Sequence, residues 1–202
     1  MRSLVALAVL VALPATASTW EIDPNHTESS FVVKHLMVSN VRGQFGKTTG
    51  TVQQDDKDVT KSKVEITIDA KTIDTRVEQR DKHLKSPDFF DVEKFPTVTF
   101  KSTKITKLEG NNVKMEGDLT MHGVTKPVVI NVQQTPDTLA GGMTIRGFTA
   151  TTKVNRKDFG LNWNQNLERG GVLVGDDVMI TLDLELLKKP APAPAEAKSS
   201  TK

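Results

Sequence analysis

Histidines are the side chains of this sequence best suited to metal binding or proton transfer. The four histidines are His26, His35, His83 and His122. None belongs to an H-E-x-x-H or close H-x-H pattern, and no carboxylate stands at a ligand-like interval from any of them. The sequence therefore predicts no metal site and favours ordinary roles for these side chains at turns and strand ends. His35 is kept as a candidate binding residue, because it shares a strand face with Phe31 and Val33.

Motifs for covalent catalysis are also missing. The chain has no cysteine, so it has no thiol nucleophile and no disulfide. It has no G-x-S-x-G elbow and no glycine loop that would cradle a phosphate. We therefore predict no catalytic residues, no cofactor and no enzymatic activity. An enzyme acting on a lipid stays open as an alternative, because a triad assembled from distant strands leaves no local pattern.

A charged segment with helical spacing interrupts an otherwise β-like chain. Ile73, Val77 and Leu84 recur at intervals of four and seven, which predicts a helix over residues 72–84. Asp74 or Thr75 is suited to cap this helix, and Pro87 would stop it.

The same segment carries a small group of charges. Arg80, Asp81 and His83 are candidates for contact with a polar ligand group or for a gate, and Leu84 is a candidate apolar contact. The competing interpretation for the charged residues is helix capping and a surface salt bridge, both of which are common and weak.

Most of the remaining chain alternates apolar and polar residues with period two. Residues 63–69 place Val64, Ile66 and Ile68 on one face, and residues 178–186 form the most regular strand. One buried and one wet face is typical of antiparallel sheets. We count eight to ten strands, including a short one over residues 105–108, and predict an all-β barrel of about eight strands with a short helical insert.

The inward positions of such a barrel form either a packed core or the wall of a ligand cavity, and the pattern does not separate the two. The apolar candidates for lining or closing a cavity are Phe31, Val33, Phe45, Ile66, Ile68, Phe89, Phe90, Val98, Phe100, Met115, Leu119, Ile180 and Leu182.

The two ends of the chain are predicted to lie outside the barrel. Residues 1–17 have a basic start, a short apolar run and a small-x-small site, as in a cleaved signal peptide. Residues 189–202 are rich in proline and alanine and predict a disordered tail. The barrel is thus expected over residues 18–188, as a soluble periplasmic protein.

Composition and patterning exclude two classes of partner. Lys and Arg number 27 against 25 Asp and Glu, so there is no basic footprint for nucleic acid. Polar outward faces argue against stable insertion as an outer-membrane barrel. Edge strands and glycine bends are compatible with a homodimer.

Several blocks, in order, give the chain a family resemblance. W-E-I-D-P-N-H at 20–26 and G-Q-F at 43–45 resemble the opening of YceI-like proteins. R-D-K-H-L-K-S-P-D-F-F-D at 80–91 is similar to the most distinctive block of that family, and G-D-L-T-M-H-G-V-T-K-P-V at 117–128 resembles a later one.

The resemblance implies a lipocalin-like antiparallel barrel that buries a long isoprenoid or other lipid, in a mostly periplasmic family not established as enzymatic. Transport or sequestration of such a lipid is the function it implies. A stress-related interaction protein whose rim or tail docks a partner stays open as the alternative.

Overall fold

The computed structural model describes residues 17–167 and 170–190, and most of this part of the chain is β-strand. The predicted signal segment, apart from Ala17, and the tail beyond Pro190 lie outside the described residues. The strands are β1 (Ala17–Ile22), β2 (Glu28–His35), β3 (Ser39–Phe45), β4 (Thr48–Asp55), β5 (Lys63–Asp69), β6 (Ile73–Asp74), β7 (Thr97–Lys107), β8 (Asn112–Met121), β9 (Val124–Gln134), β10 (Thr138–Ala140), β11 (Met143–Asn155) and β12 (Val174–Lys188). The α-helix among these residues is α1 (Glu78–Lys85).

The strands close into an antiparallel barrel. β1 and β2 both pair with β12 and flank a 3-10 turn at Pro24–His26, so they act as one bent strand. β4 pairs with β1 and β3 with β2, which makes β3 and β4 the next bent strand. The ring continues through β5, β7, β8, β9 and β11 back to β12. This arrangement confirms the predicted barrel of eight strands.

Strand direction defines two ends of the barrel. We call residues 70–96 the insert, and we call the end of the barrel that carries them the insert end. The last residues of β5 and β8 and the first residues of β7 and β9 lie at this end. β1 begins, and β4, β9 and β12 end, at the opposite end, which we call the far end.

The insert differs in detail from the sequence prediction. The predicted helix start near Thr72 is wrong, because Ile73 and Asp74 form β6 against Phe45 and Gln44 of β3. Ile73 is buried, and α1 begins only at Glu78. The predicted cap is also wrong. Val77 is the N-cap and makes no side-chain cap bond.

The predicted separate strand over residues 105–108 is also wrong. Residues 97–107 form the single strand β7, which bulges between Ser102 and Lys104. The bulge interrupts the ladder with β8, and on the other side of β7 the Ser102 hydroxyl accepts a hydrogen bond from the Val64 N–H of β5 at 2.9 Å.

Candidate functional site

An apolar cavity runs through the barrel. Its volume is about 210 Å³. Inward side chains from all eight barrel strands line it, as do residues of the insert. Carbon atoms make up almost the whole wall. Such a wall offers burial to a hydrocarbon and nearly nothing to a polar solute.

The cavity is long. On β8, its wall includes Val113 near the far end and Met121 near the insert end. Eight residue steps at ~3.3 Å each, tilted by ~40°, span roughly 20 Å along the barrel axis. A fully extended chain advances ~3.6 Å for three bonds, so this length holds about 16 bonds.

Fourteen of the residues singled out from the sequence line this cavity. They are Phe31, Val33, Phe45, Ile66, Ile68, Leu84, Phe89, Phe90, Val98, Phe100, Met115, Leu119, Ile180 and Leu182. Their common property is the inward phase of a strand or a place on the inner side of the insert.

Aromatic contacts join the insert to the barrel. The Phe45 ring lies 5.8 Å from the rings of both Phe31 and Phe90. On the other side, Phe89 packs against Trp163 at 5.2 Å, in the chain that follows β11. Residues from four distant parts of the sequence thus form a wall of rings at the insert end.

The charged candidates of the insert do not line the cavity. Arg80 donates to the Thr75 hydroxyl at 2.7 Å and to the Thr75 carbonyl at 2.8 Å. Asp81 accepts from the Thr75 N–H at 2.8 Å. These bonds fold the start of α1 onto the chain before it and direct both side chains toward backbone.

The two candidate histidines are also outside the cavity wall. His83 lies 2.9 Å from an Asp88 oxygen, and its ring packs edge-on against Phe89 and Trp163. His35 ends β2, opposite Ser39 and Val174. His83 therefore supports the aromatic wall from outside.

The insert end also contains a buried cation. Arg156 is 4% exposed, and its guanidinium donates to the carbonyls of Leu161, Trp163, Val174 and Gly175. Burial lowers its pKa, an effect that Asp176 opposes. These bonds fix the chain after β11 over the end of the barrel.

A polar layer closes the far end. Gln54 of β4 and Gln134 of β9 line the cavity, and Arg146 of β11 donates to both side-chain oxygens, at 2.7 and 3.4 Å. The guanidinium also lies 4.5 Å from the centre of the buried Trp20 ring. Its Nε donates to Asp137 at 2.5 Å, and this bond lowers the pKa of the Asp137 carboxyl.

One histidine stands beside two carboxylates, which sequence spacing did not reveal. His26 Nδ1 lies 2.9 Å from Asp23 and 3.8 Å from Glu185. Both carboxylates raise the His26 pKa, chiefly through the Asp23 hydrogen bond. The three ligand atoms lie within 4.8 Å of one another. Because Asp23 also caps the turn that contains His26, a structural role explains the group.

A family model described as the YceI-like domain matches residues 20–186. The chain belongs to the YceI-like family.

Curated relatives agree with this assignment. This YceI-like chain is 37% identical over 166 residues to a UPF0312 protein of Vibrio cholerae, covering 78% of this chain and 86% of the relative. It is 35% identical over 170 residues to a UPF0312 protein of Staphylococcus aureus, covering 83% and 96%.

Solved structures share the fold. The Campylobacter jejuni YceI protein matches with a TM-score of 0.66 and 29% identity, covering 78% of this chain and 90% of that one. Burkholderia cenocepacia BcnA matches at 0.71 with 24% identity, covering 81% and 98%. A polyisoprenoid binding domain from Saccharophagus degradans matches at 0.62 with 13% identity, covering 84% and 98%. No helix among the described residues has the length and apolar character needed to span a membrane.

Sequence reasoning missed the residues that close the two ends of the cavity. Trp163 and Arg156 close the insert end, and Gln54, Gln134 and Arg146 close the far end. A signal did exist for the last three. Each occupies the inward phase of its strand, where the pattern otherwise places apolar residues.

Proposed function

We propose that this YceI-like protein binds a long-chain isoprenoid or another single-chain lipid in its barrel cavity, and that it carries or sequesters this lipid in the periplasm. The observation that carries the proposal is the long cavity with an almost wholly carbon-lined wall. The polyisoprenoid binding domain that shares the fold supports the choice of ligand class. We propose binding without catalysis.

Chain length sets the available affinity. Each buried methylene-sized group contributes about 0.8 kcal/mol, so one five-carbon isoprene unit contributes up to roughly 4 kcal/mol. With about four bonds of main chain per unit, the ~16-bond cavity holds about four units, or up to roughly 16 kcal/mol before the costs of binding. Tail length therefore governs affinity, and the few polar groups at the ends govern selectivity.

A chain-length series tests this directly. Isoprenoid alcohols of increasing length should displace an apolar fluorescent probe with rising affinity up to about four units, after which the gain levels off. Affinity that is independent of length would refute a deep hydrocarbon site. Extraction and mass spectrometry of protein purified from its host should also recover a bound lipid. Consumption of that lipid by the protein would support the enzyme alternative instead.

Two further experiments test the remaining parts of the proposal. Intact mass of the exported protein should show loss of residues 1–17, and retention of these residues would contradict the periplasmic assignment. Hydrogen exchange across residues 72–95, with and without lipid, should show added protection if the insert opens to admit the ligand. Equal protection in both states would rule out a mobile insert.

A further inference from the structure

Arg146 occupies an unusual position for a cation. Phe148, Ala150 and Thr152 of β11 line the cavity, and Arg146 shares their side of the strand by the period of two. It is therefore an inward-facing residue, one layer beyond the last apolar residue of its strand. Its side chain is only 14% exposed.

The cavity ends at two side chains that bond this guanidinium. Gln54 and Gln134 come from strands on different sides of the barrel, and both are part of the cavity wall. Arg146 Nη1 holds both amide oxygens, so the guanidinium lies immediately behind them. From the cavity outward, the order is hydrocarbon wall, two amides and then a cation.

The guanidinium still has donors to offer. Nε donates to Asp137 and Nη1 to the glutamines, whereas Nη2 has no hydrogen-bond partner within residues 17–167 and 170–190. No buried side-chain nitrogen or oxygen of these residues lacks a partner, so Nη2 is not sealed off. Because each glutamine oxygen faces Arg146, its amide N–H groups are directed elsewhere and can also donate.

The other two arginines near the cavity are bonded differently. Arg80 bonds Thr75 through Nε and Nη2, and Thr75 is not part of the cavity wall. Arg156 gives Nε, Nη1 and Nη2 to backbone carbonyls and to Asp176. Arg146 does not line the wall itself, but it bonds two side chains that do, Gln54 and Gln134, and its Nη2 has no hydrogen-bond partner among the described residues.

We propose that the far end is a head-group subsite, in which Arg146, Gln54 and Gln134 bind the anionic oxygens of a carboxylate or phosphate head while the tail extends toward the insert. This deepens the proposed function and rests on it. A planar guanidinium matches two oxygens of such a head, and charge-assisted bonds of this kind are short and strong.

The local charge supports an anionic head. Asp137 is the acid bonded to Arg146, and it is 44% exposed, so the cation lies deeper than its partner. Lys188 adds a second positive charge, 5.6 Å from the centre of the Trp20 ring on which Arg146 also lies. The end of the cavity is therefore positive on its inner side.

Paired lipids that differ only in the head test the selectivity. The wild-type protein, Arg146→Met and the control Arg80→Ala should each be titrated with an isoprenoid phosphate and with its alcohol. In Arg146→Met, we expect about 10- to 100-fold weaker binding of the phosphate. Alcohol binding should be unchanged, which also shows that the variant folds. Arg80→Ala should alter neither lipid.

Equal losses for both heads, or no loss of the phosphate, would overturn the subsite. Selective loss in Arg80→Ala would instead place the head at the insert. Inorganic phosphate at millimolar concentration should not compete, and full competition by it would make the site one for free phosphate. Failure of wild-type protein to bind either lipid would refute the proposed function itself.

The two tryptophans of the chain provide an independent test of orientation. Trp20 lies at the far end beside Arg146, and Trp163 lies at the insert end beside Phe89. In Trp163→Phe, a fatty acid with a nitroxide beside its carboxylate should quench the remaining Trp20 more strongly than one labelled at its methyl end. In Trp20→Phe, the order should reverse for Trp163. The opposite pattern would show that the head faces the insert.

Discussion

Placing one larger side chain in the cavity distinguishes an open barrel from a packed one by its effect on stability and on lipid binding. Ala150 lies inward on β11 and contributes to the cavity wall. Ala70 has 0% exposure, does not line the cavity and donates its N–H to the Pro96 carbonyl at 2.9 Å. The pair Ala150→Leu and Ala70→Leu therefore adds the same atoms to a void and to a packed site.

The expected magnitudes have opposite signs. Leucine adds three carbons, which contribute about 2.4 kcal/mol if they are fully buried in open space. Ala150→Leu should therefore leave the free energy of unfolding unchanged or raise it by up to about 2 kcal/mol. Ala70→Leu should lower the same quantity by about 1–3 kcal/mol, because extra carbons in a packed site force strain.

Lipid binding provides the second measurement. The three carbons at position 150 displace about three carbons of a cavity-filling lipid, a loss of about 2.4 kcal/mol or roughly 50-fold in affinity. Urea unfolding of the lipid-free variants and displacement of a fluorescent lipid give the two numbers. If Ala150→Leu destabilises the protein as much as Ala70→Leu does, the barrel is packed at position 150 and has no cavity there.

Three further changes have defined outcomes. Arg156→Met should lower the free energy of unfolding in urea by about 3 kcal/mol, because several buried carbonyls lose their donors; a change under 1 kcal/mol would contradict that role. Gly43→Ala should destabilise the protein by about 1–3 kcal/mol and weaken lipid binding, because the new carbon would lie 2.4 Å from the Phe31 ring; unchanged lipid affinity would show that Phe31 need not move into the cavity. The His26 pKa should lie above 6.5 by NMR titration and fall in Asp23→Asn. Since the folded pKa is raised, the contribution of His26 to stability is full below pH 6.5 and is lost as pH rises through the folded pKa; a pKa at or below 6.5 would exclude the Asp23 contact in solution.

The barrel was predictable because its signal is local. A period of two is a property of strand backbone, so residues 63–69 and 178–186 indicate their strands without knowledge of their partners. The insert was harder. Ile73 fits a helical pattern with Val77, but in the structure it pairs with Phe45 in a sheet. Phe45 is distant in sequence, so a local pattern does not indicate this pairing. Val77 is 47% exposed, so the apparent helical face was a coincidence of spacing.

The residues of the cavity wall were predictable from local patterns, whereas the residues at its ends were not. Inward apolar residues such as Met115 and Leu182 follow from strand phase alone, whereas the choice between a filled core and a void depends on how the barrel closes. Gln134 and Arg146 lie on the paired strands β9 and β11, whereas Gln54 is 92 residues from Arg146 in the sequence. Only ring closure brings Gln54 to the other two, so the sequence favoured the insert, where Arg80 and Asp81 are neighbours.

The pairing of β12 has a consequence for how the protein folds. This last strand pairs with β11, β1 and β2, and it joins Lys188 to Trp20 near the other end of the described chain. Contacts of such sequence separation slow folding, because a large loop must close before they form. A growing chain that lacks β12 cannot complete the ring, and its inward apolar faces remain open to other chains. The chain can therefore complete its native barrel only after β12 has been synthesised.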